Sequence, residues 1–460
     1  MKRISLLLAA ITSLVALSLA ATRPHYGGTL RLEMRGSFSS FDIGPDTNAN
    51  RARVREIVLR SVCDRLTAID AAGAPQPSLA TAWRAERDGR TWFLTLRDNI
   101  PMQNSTTVTA QAVIAVLTGQ NPNWRFQIIG KDLRIDSDTP IPGMPFELAE
   151  PHNSICMAGA DGRWIGSGPF QISDFRAGQY VELQAFDDSW HGRAFLDRIR
   201  IQMSKSLADQ VNDFQLGRAD AIESDPTQPR PANSSTGVFS RPVEVIALAF
   251  TPNHPAASDQ RIREALARSI DRNSIFTVLL RRQGEASAAL LPEWISGYAH
   301  LFNSAQDLGT AVRLRNQAAA LSTLSLVYDG ADDLARLIAE RISLNARDAG
   351  ITLQPRPESP MFRSFDADVR LVRLRIESPD AASALASIGD ALDSATLQRA
   401  RSATTAEQLF AAENDALKDF SIIPVAHVPE SFSVAPAVHD WTLGATGSVD
   451  LGNFWMEPPR

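Results

Sequence analysis

Residues 324–354 constrain the fold most. LSLVYDG, DDLARLIAERISLNARDAG and ITLQP follow one another as strand, helix and strand, with Gly350 as the helix stop. Such a unit predicts two parallel strands joined by a right-handed crossover, so this part of the chain is committed to an α/β sheet with a helix on its face. Upstream, SDQRIREALARSIDRNSIFTVLL predicts a strong helix with Ile262, Leu266 and Ile270 on one stripe and Ser258 and Asp259 as its start signal.

The first half has a different period. GGTLRLEM alternates Leu30, Leu32 and Met34 against polar residues and predicts a strand, as does TWFLTLRDNI. RVREIVLRSVCDRL has helical spacing, which places Cys63 on a stripe with Leu59, Val62 and Leu66. TAQAVIAVLTG predicts a short helix capped by Thr109, with Gly119 after its end. Alternation continues through Ile172, through Val181 and Leu183, and through Ile199 and Ile201. The stretch GSGPF that leads into it, residues 166–170, is therefore expected to be a corner that starts a strand. It lacks the lysine and following helix of a phosphate loop and does not have the spacing of an esterase elbow. Ser167 could still serve as a nucleophile, but no particular histidine or aspartate stands out as its partner.

The chain has 460 residues, 44% of them hydrophobic, enough for two or three domains with substantial cores. Lys2, Arg3, the apolar run ISLLLAAITSLVAL and Ser18-Leu19-Ala20 have the pattern of a cleavable export signal over residues 1–20. The mature start is expected near Ala21, outside the cytoplasm, and without a lipid anchor because no cysteine closes the run. Without Lys2 and Arg3, 44 basic residues face 52 acidic ones, which disfavours nucleic acid as a partner. The two cysteines, Cys63 and Cys156, could close a long loop in an oxidising compartment, but separate buried thiols are the expected reading, since two do not make a framework. The seven histidines show no ligand spacing, so neither a metal site nor a cofactor is expected.

DADVRLVRLRIESPD predicts a strand that Glu377-Ser378-Pro379-Asp380 ends. Arg375 and these carboxylates thus fall at a strand end in an α/β region, where ligands tend to bind. An ordinary solvated loop is the competing reading, and Asp380 also suits the cap of the helix that follows.

In order along the chain, GGTLRLE, PSLATAWRAERDGRTWFLTLR, VTAQAV, GSGPF, SDQRIREALARSIDRNSI and IIPVAHVPE resemble the motifs of family 5 extracellular solute-binding proteins, the peptide- and nickel-binding components of bacterial ABC importers. Asn104-Ser105, Ala112 and Cys63 depart from the family pattern. The resemblance implies a two-lobed periplasmic binding protein type II fold with mixed sheets. Its first lobe would be discontinuous, 21–245 with a return at 428–460, and its second would span 246–427. It further implies a monomer without catalytic activity that closes on a small-molecule or peptide ligand and presents it to ABC permease subunits. In peptide-binding members an acid placed like Glu377 pairs with the ligand amine, while Leu374 and Leu371 stand where Trp and Arg can occur. The expected ligand contacts are Glu377, Arg375 and Asp380, with Phe38 and Phe41 of the loop RGSFSSFDIGPDTN. A hydrolase acting through Ser167, or a diverged member with a sensory role, are the rival expectations.

Overall fold

The computed structural model describes residues 24–457 apart from 44–47, 88, 228–230, 232–236, 253, 255–257, 319–322, 359–366, 390, 391 and 393. The expected export segment lies outside the described residues. Among those described, no helix is long and apolar enough to cross a membrane.

Strand β1 (Thr29–Glu33) buries Leu30 and Leu32 beneath helix α1 (Ala49–Val62). Asn48 starts α1 by accepting a hydrogen bond from the Arg51 amide at 3.0 Å. The helix stops at Val62, so Cys63 is not on the helical stripe expected of it: its backbone is extended, with φ −128°. Nor are the cysteines separate thiols. Cys63 and Cys156 form a disulfide, with Cα atoms 5.5 Å apart. Local periodicity could not reveal a pairing across 93 residues.

A small antiparallel sheet follows, built from β2 (Ala80–Glu86), β3 (Thr91–Leu96), β4 (Trp124–Ile129) and β5 (Asp132–Ser137) in the order β2-β3-β5-β4. Helix α2 (Ala110–Gln120) covers it, with Val113 and Leu117 buried and Thr109 capping at Ala112; Gly119 lies inside the helix and not beyond it. This sheet has its own core, a layer that the sequence did not separate from the rest.

The main sheet has 11 strands. In chain order its remaining members are β6 (Phe170–Arg176), β7 (Tyr180–Ala185), β8 (Arg198–Gln202), β9 (Ala221–Glu223) and β10 (Val238–Phe250). Then come β11 (Glu285–Ala286), β12 (Leu324–Asp329), β13 (Leu353–Glu358), β14 (Val369–Arg375) and β15 (Ile422–Val434). The order is β6-β7-β8-β1-β9-β15-β10-β14-β12-β13, with β11 pairing to β15. GSGP leads directly into β6, as its turn chemistry predicts.

Beyond β10, helix α3 (Gln260–Ser269) starts on an Asp259 cap and buries Ile262 and Leu266. It ends sooner than its periodicity suggests, with Ile270 extended. The βαβ unit has the expected form: β12 and β13 are parallel and α4 (Asp333–Asp348) joins them. Asp332 caps α4 through the Ala335 amide, and Gly350 follows at φ +76°. Helices α5 (Ala381–Ser387) and α6 (Ser394–Ser402) come after β14.

Two cores flank the middle of the sheet. One packs α1 on β1, β6, β7 and β8; the other packs α3 and α4 on β10, β12, β14 and β15. The 13-residue strands β10 and β15 run antiparallel across the junction. Their register shifts repeatedly between Phe239 and Ala247, which are irregularities of the kind that bend strands.

Candidate functional site

A cavity of about 370 Å³ opens where the two parts face each other. One wall is the face of α1 that carries Ala52, Glu56 and Leu59, together with the loops around 120–124 and 137–152. The other is the end of β14, Leu374 and Arg375, with Glu377 just beyond it and residues of α5 and α6. β14 ends at Arg375 and Asp380 opens the next helix, which leaves Glu377 just beyond the strand tip.

Glu377 is half-buried, and its carboxylate has no hydrogen-bond or ion-pair partner among the described residues; only its backbone amide is engaged, by the Ser387 hydroxyl at 3.3 Å. Burial, and next the nearby Glu56 carboxylate, push its carboxyl up to about 7 against the pull of Arg375, Arg65 and Arg55. An acid so placed is poised to accept a cation.

Beneath it, a buried ionic network ties the two parts together. From α1, Arg53 reaches Glu223 at 2.7 Å, Glu244 at 3.3 Å and Glu430 at 2.8 Å. From β14, Arg373 pairs with Glu244 and Asp332, and Arg375 pairs with Glu430 and, at 2.6 Å, with Glu56. Arg35 reaches Glu223 at 3.2 Å. Burial alone would raise Glu223, but Arg35 and Arg53 hold it at about 2. Asp332, equally buried, is held at about 2 by Arg373 and Arg35 while it caps α4.

The predicted contacts separate in space. Arg375 lines the cavity, but its guanidinium is engaged by Glu56, Glu430 and the Thr446 carbonyl. Asp380 caps α5 through the Ser383 amide at 3.0 Å, the competing role its position allowed. Phe38 and Phe41 are not among the residues lining the cavity: they pack with Trp164 and Phe175 against the first core. Phe38 and Phe41 of the RGSFSSFD loop turn inward because their rings find one another and those of Trp164 and Phe175 there, while Ser39 and Ser40 stay exposed.

Ser167 is fully buried and its hydroxyl donates to Asp64 at 2.8 Å. The same carboxylate is bonded by Trp190 at 2.7 Å and His191 at 2.8 Å. Burial opposes ionisation of Asp64, yet these donors hold it below the usual carboxylate range. The serine and histidine both point at Asp64, so the imidazole does not face the hydroxyl.

Sequence reasoning missed the first-lobe acids. Glu147 and Glu150, both 3% exposed, line the cavity beside His152. Burial raises Glu147, and burial followed by Glu147 and Glu377 raises Glu150 well above its ordinary value. Arg401 of α6 approaches Glu147 at 3.7 Å from across the cavity. Their one visible signal is the E-x-x-E-x-H spacing of residues 147–152.

A family model described as bacterial extracellular solute-binding proteins, family 5 Middle, matches residues 74–395. The chain belongs to this family. Family 5 is a family of binding proteins, and the buried Ser167 agrees with that character. The oligopeptide-binding protein AppA of Bacillus subtilis is 28% identical over 132 residues, covering 28% of this chain and 24% of AppA. The nickel-binding protein NikA of Staphylococcus aureus is 25% identical over 239 residues, 48% of each chain. The chain thus spans about a quarter to a half of the length of these curated relatives. In three dimensions the likeness is broader. The structure of B. subtilis AppA in complex with a nonapeptide superimposes with a TM-score of 0.80 at 13% identity, over 95% of this chain and all of that one. The Escherichia coli murein tripeptide binding protein MppA gives 0.81 at 16%, over 95% of this chain and all of that one. The fold is therefore that of the two-lobed periplasmic binding proteins.

Proposed function

We propose that this family 5 protein captures a small amine-bearing solute or short peptide in its interlobe cavity, outside the cytoplasm, and delivers it to the permease of an ABC importer. Glu377 carries this reading. It is a carboxylate without a partner among the described residues, just beyond a strand tip inside a cavity, with Glu147 and Glu150 on the opposite wall. A cationic group would relieve three acids whose ionisation burial opposes. The cavity volume lies near the lower end of the roughly 300–1,000 Å³ typical of small-ligand sites, which favours a compact solute over a long peptide. The lobes, bounded near 245 and 428, would hinge on the irregular stretch of β10 and β15. The site comprises Glu377 as charge anchor, with Arg375 holding Glu56 beside it. The relatives' names specify oligopeptides and nickel, and the carboxylate-lined cavity is compatible with a cationic group from either class of cargo.

Native mass spectrometry of tag-free protein purified from its own host tests the proposal. A retained species that carries a basic nitrogen and is lost from Glu377→Gln is the expected result. A retained acidic or neutral species, held equally by both proteins, would overturn it.

A further inference from the structure

We infer that a second cavity, beyond the C-terminal end of α1, binds an oxyanion, a phosphate or carboxylate group gripped by Arg60 and Arg65. This cavity, of about 450 Å³, shares no lining residue among the described ones with the cavity that Glu377 enters, so the site depends neither on Glu377 nor on the solute held there.

Stretches far apart in sequence build it, among them the end of α1 with the residues after it, Pro169 of the strand-leading corner, the turn at 191–193 and the return at 450–453. The acids that line it are already satisfied. Asp64 accepts from Ser167, Trp190 and His191, and Asp450 accepts from the Gly452 amide at 3.0 Å and from Asn453 Nδ2 at 3.2 Å. Arg193, also in the lining, is paired with Asp187 at 2.9 Å and Asp197 at 2.5 Å. Arg60 and Arg65 are not matched in this way.

Arg60 stands in the last turn of α1. Among the described residues its one ionic contact is Glu56 at 3.8 Å, a carboxylate that Arg375 already holds at 2.6 Å, and its buried Nε has no hydrogen-bond partner. Arg65 is 7% exposed. Its Nη1 donates to the Ala149 carbonyl at 2.7 Å and its Nε to Ser154 at 3.2 Å, which fixes the loop that walls the other cavity, but its Nη2 is left without a partner. Holding that loop accounts for two of its nitrogens and not for the third. A cation at the end of α1 complements the helix dipole, which accounts for Arg60 but not for a second guanidinium crowding it. Burial, and next the charge of Arg60, push Arg65 down to about 10 against the pull of Glu56, Glu377 and Glu150. Two neighbouring cations, each with an unfilled buried donor, are completed by one anion that accepts from both. Guanidinium forks match the oxygens of phosphate and carboxylate. The volume also has room for the group that carries the anion, with the paired rings of Tyr26 and Phe195 as an apolar side.

The tag-free full chain is titrated by calorimetry with inorganic phosphate, and separately with succinate, at ionic strength fixed by sodium chloride. One saturable site is expected for at least one probe, and the tighter of the two names the oxyanion. Arg60→Gln should weaken it by at least about tenfold, as loss of a charge-assisted pair does, whereas Lys131→Gln, which removes the same charge from an exposed side chain elsewhere, should leave it unchanged. Circular dichroism without ligand compares the folds. If Arg60→Gln fails to fold, Arg60→Lys decides: it keeps the charge and loses the fork, and should bind at least about threefold more weakly. No saturable binding of either probe, binding that the Arg60 variants leave intact, or an equal loss in Lys131→Gln overturns the site. So does binding that Arg60→Gln spares and Arg401→Gln abolishes, because the anion would then lie in the cavity that Glu377 enters.

Discussion

A Cβ at Gly168 would lie 2.6 Å from the Ser61 carbonyl oxygen, and one at Gly166 would strike the Val62 carbonyl. Neither glycine has positive φ. These residues are glycine because the strand-leading corner passes directly over the end of α1, where Gly168 donates to the Val62 carbonyl at 3.0 Å. Gly168→Val is therefore expected to destabilise the fold by about 1–3 kcal/mol through forced displacement of that backbone. Urea unfolding measures it, and an unchanged midpoint would show that the corner has room. Turn chemistry made the corner legible in the sequence, but not the close approach that fixes its glycines. Likewise, Glu377 was legible as a charge at a strand end, while the engagement of Arg375 by Glu56 and Glu430, and the inward turn of Phe38 and Phe41, depend on partners far away in sequence.

Elements defined by local period were readable: the βαβ unit, α3 and its Asp259 cap, and the strands after Phe170. The 13-residue strand β10 was not, and β15 was legible only through the family resemblance of IIPVAHVPE, because their pairing spans nearly two hundred residues and Pro242 and Pro424 interrupt them. The loop before Glu147 meets the start of α5 across the cavity mouth. A Cβ at Gly143 would lie 2.9 Å from Asp380 Oδ2 and 3.2 Å from the Ser383 hydroxyl. Gly143→Leu is expected to wedge these elements apart while leaving both cores intact. Small-angle scattering should then give a larger radius of gyration than wild type at an unchanged far-ultraviolet spectrum. Superimposable scattering profiles would mean that the two elements do not limit the approach of the lobes.

At the scale of the whole molecule, two sets of carboxyls respond oppositely to pH. Glu223 and Asp332, held at about 2, stabilise the joined lobes at neutral pH, and that contribution is lost as pH falls from their ordinary range through about 2. Glu377 is raised from 4.5 to about 7, so its ionised form weakens the empty fold above pH 7 and costs nothing below 4.5. Glu377→Gln should accordingly leave the empty protein as stable as wild type at pH 8, or slightly more so. The cation-bound form needs the opposite protonation state, which makes affinity rise with pH until the carboxyl is ionised. The direct measurement is titration calorimetry with the solute retained from the host, on wild type and Glu377→Gln at pH 5 and pH 8. Loss of a buried charge partner is worth about 2–5 kcal/mol, so at pH 8 the variant should bind at least about tenfold more weakly, with the gap narrowing at pH 5, where the wild-type carboxyl is itself neutral. Equal affinities of the two proteins at pH 8 would contradict the account, because the cavity would then hold its ligand without the Glu377 carboxylate on which the reading rests.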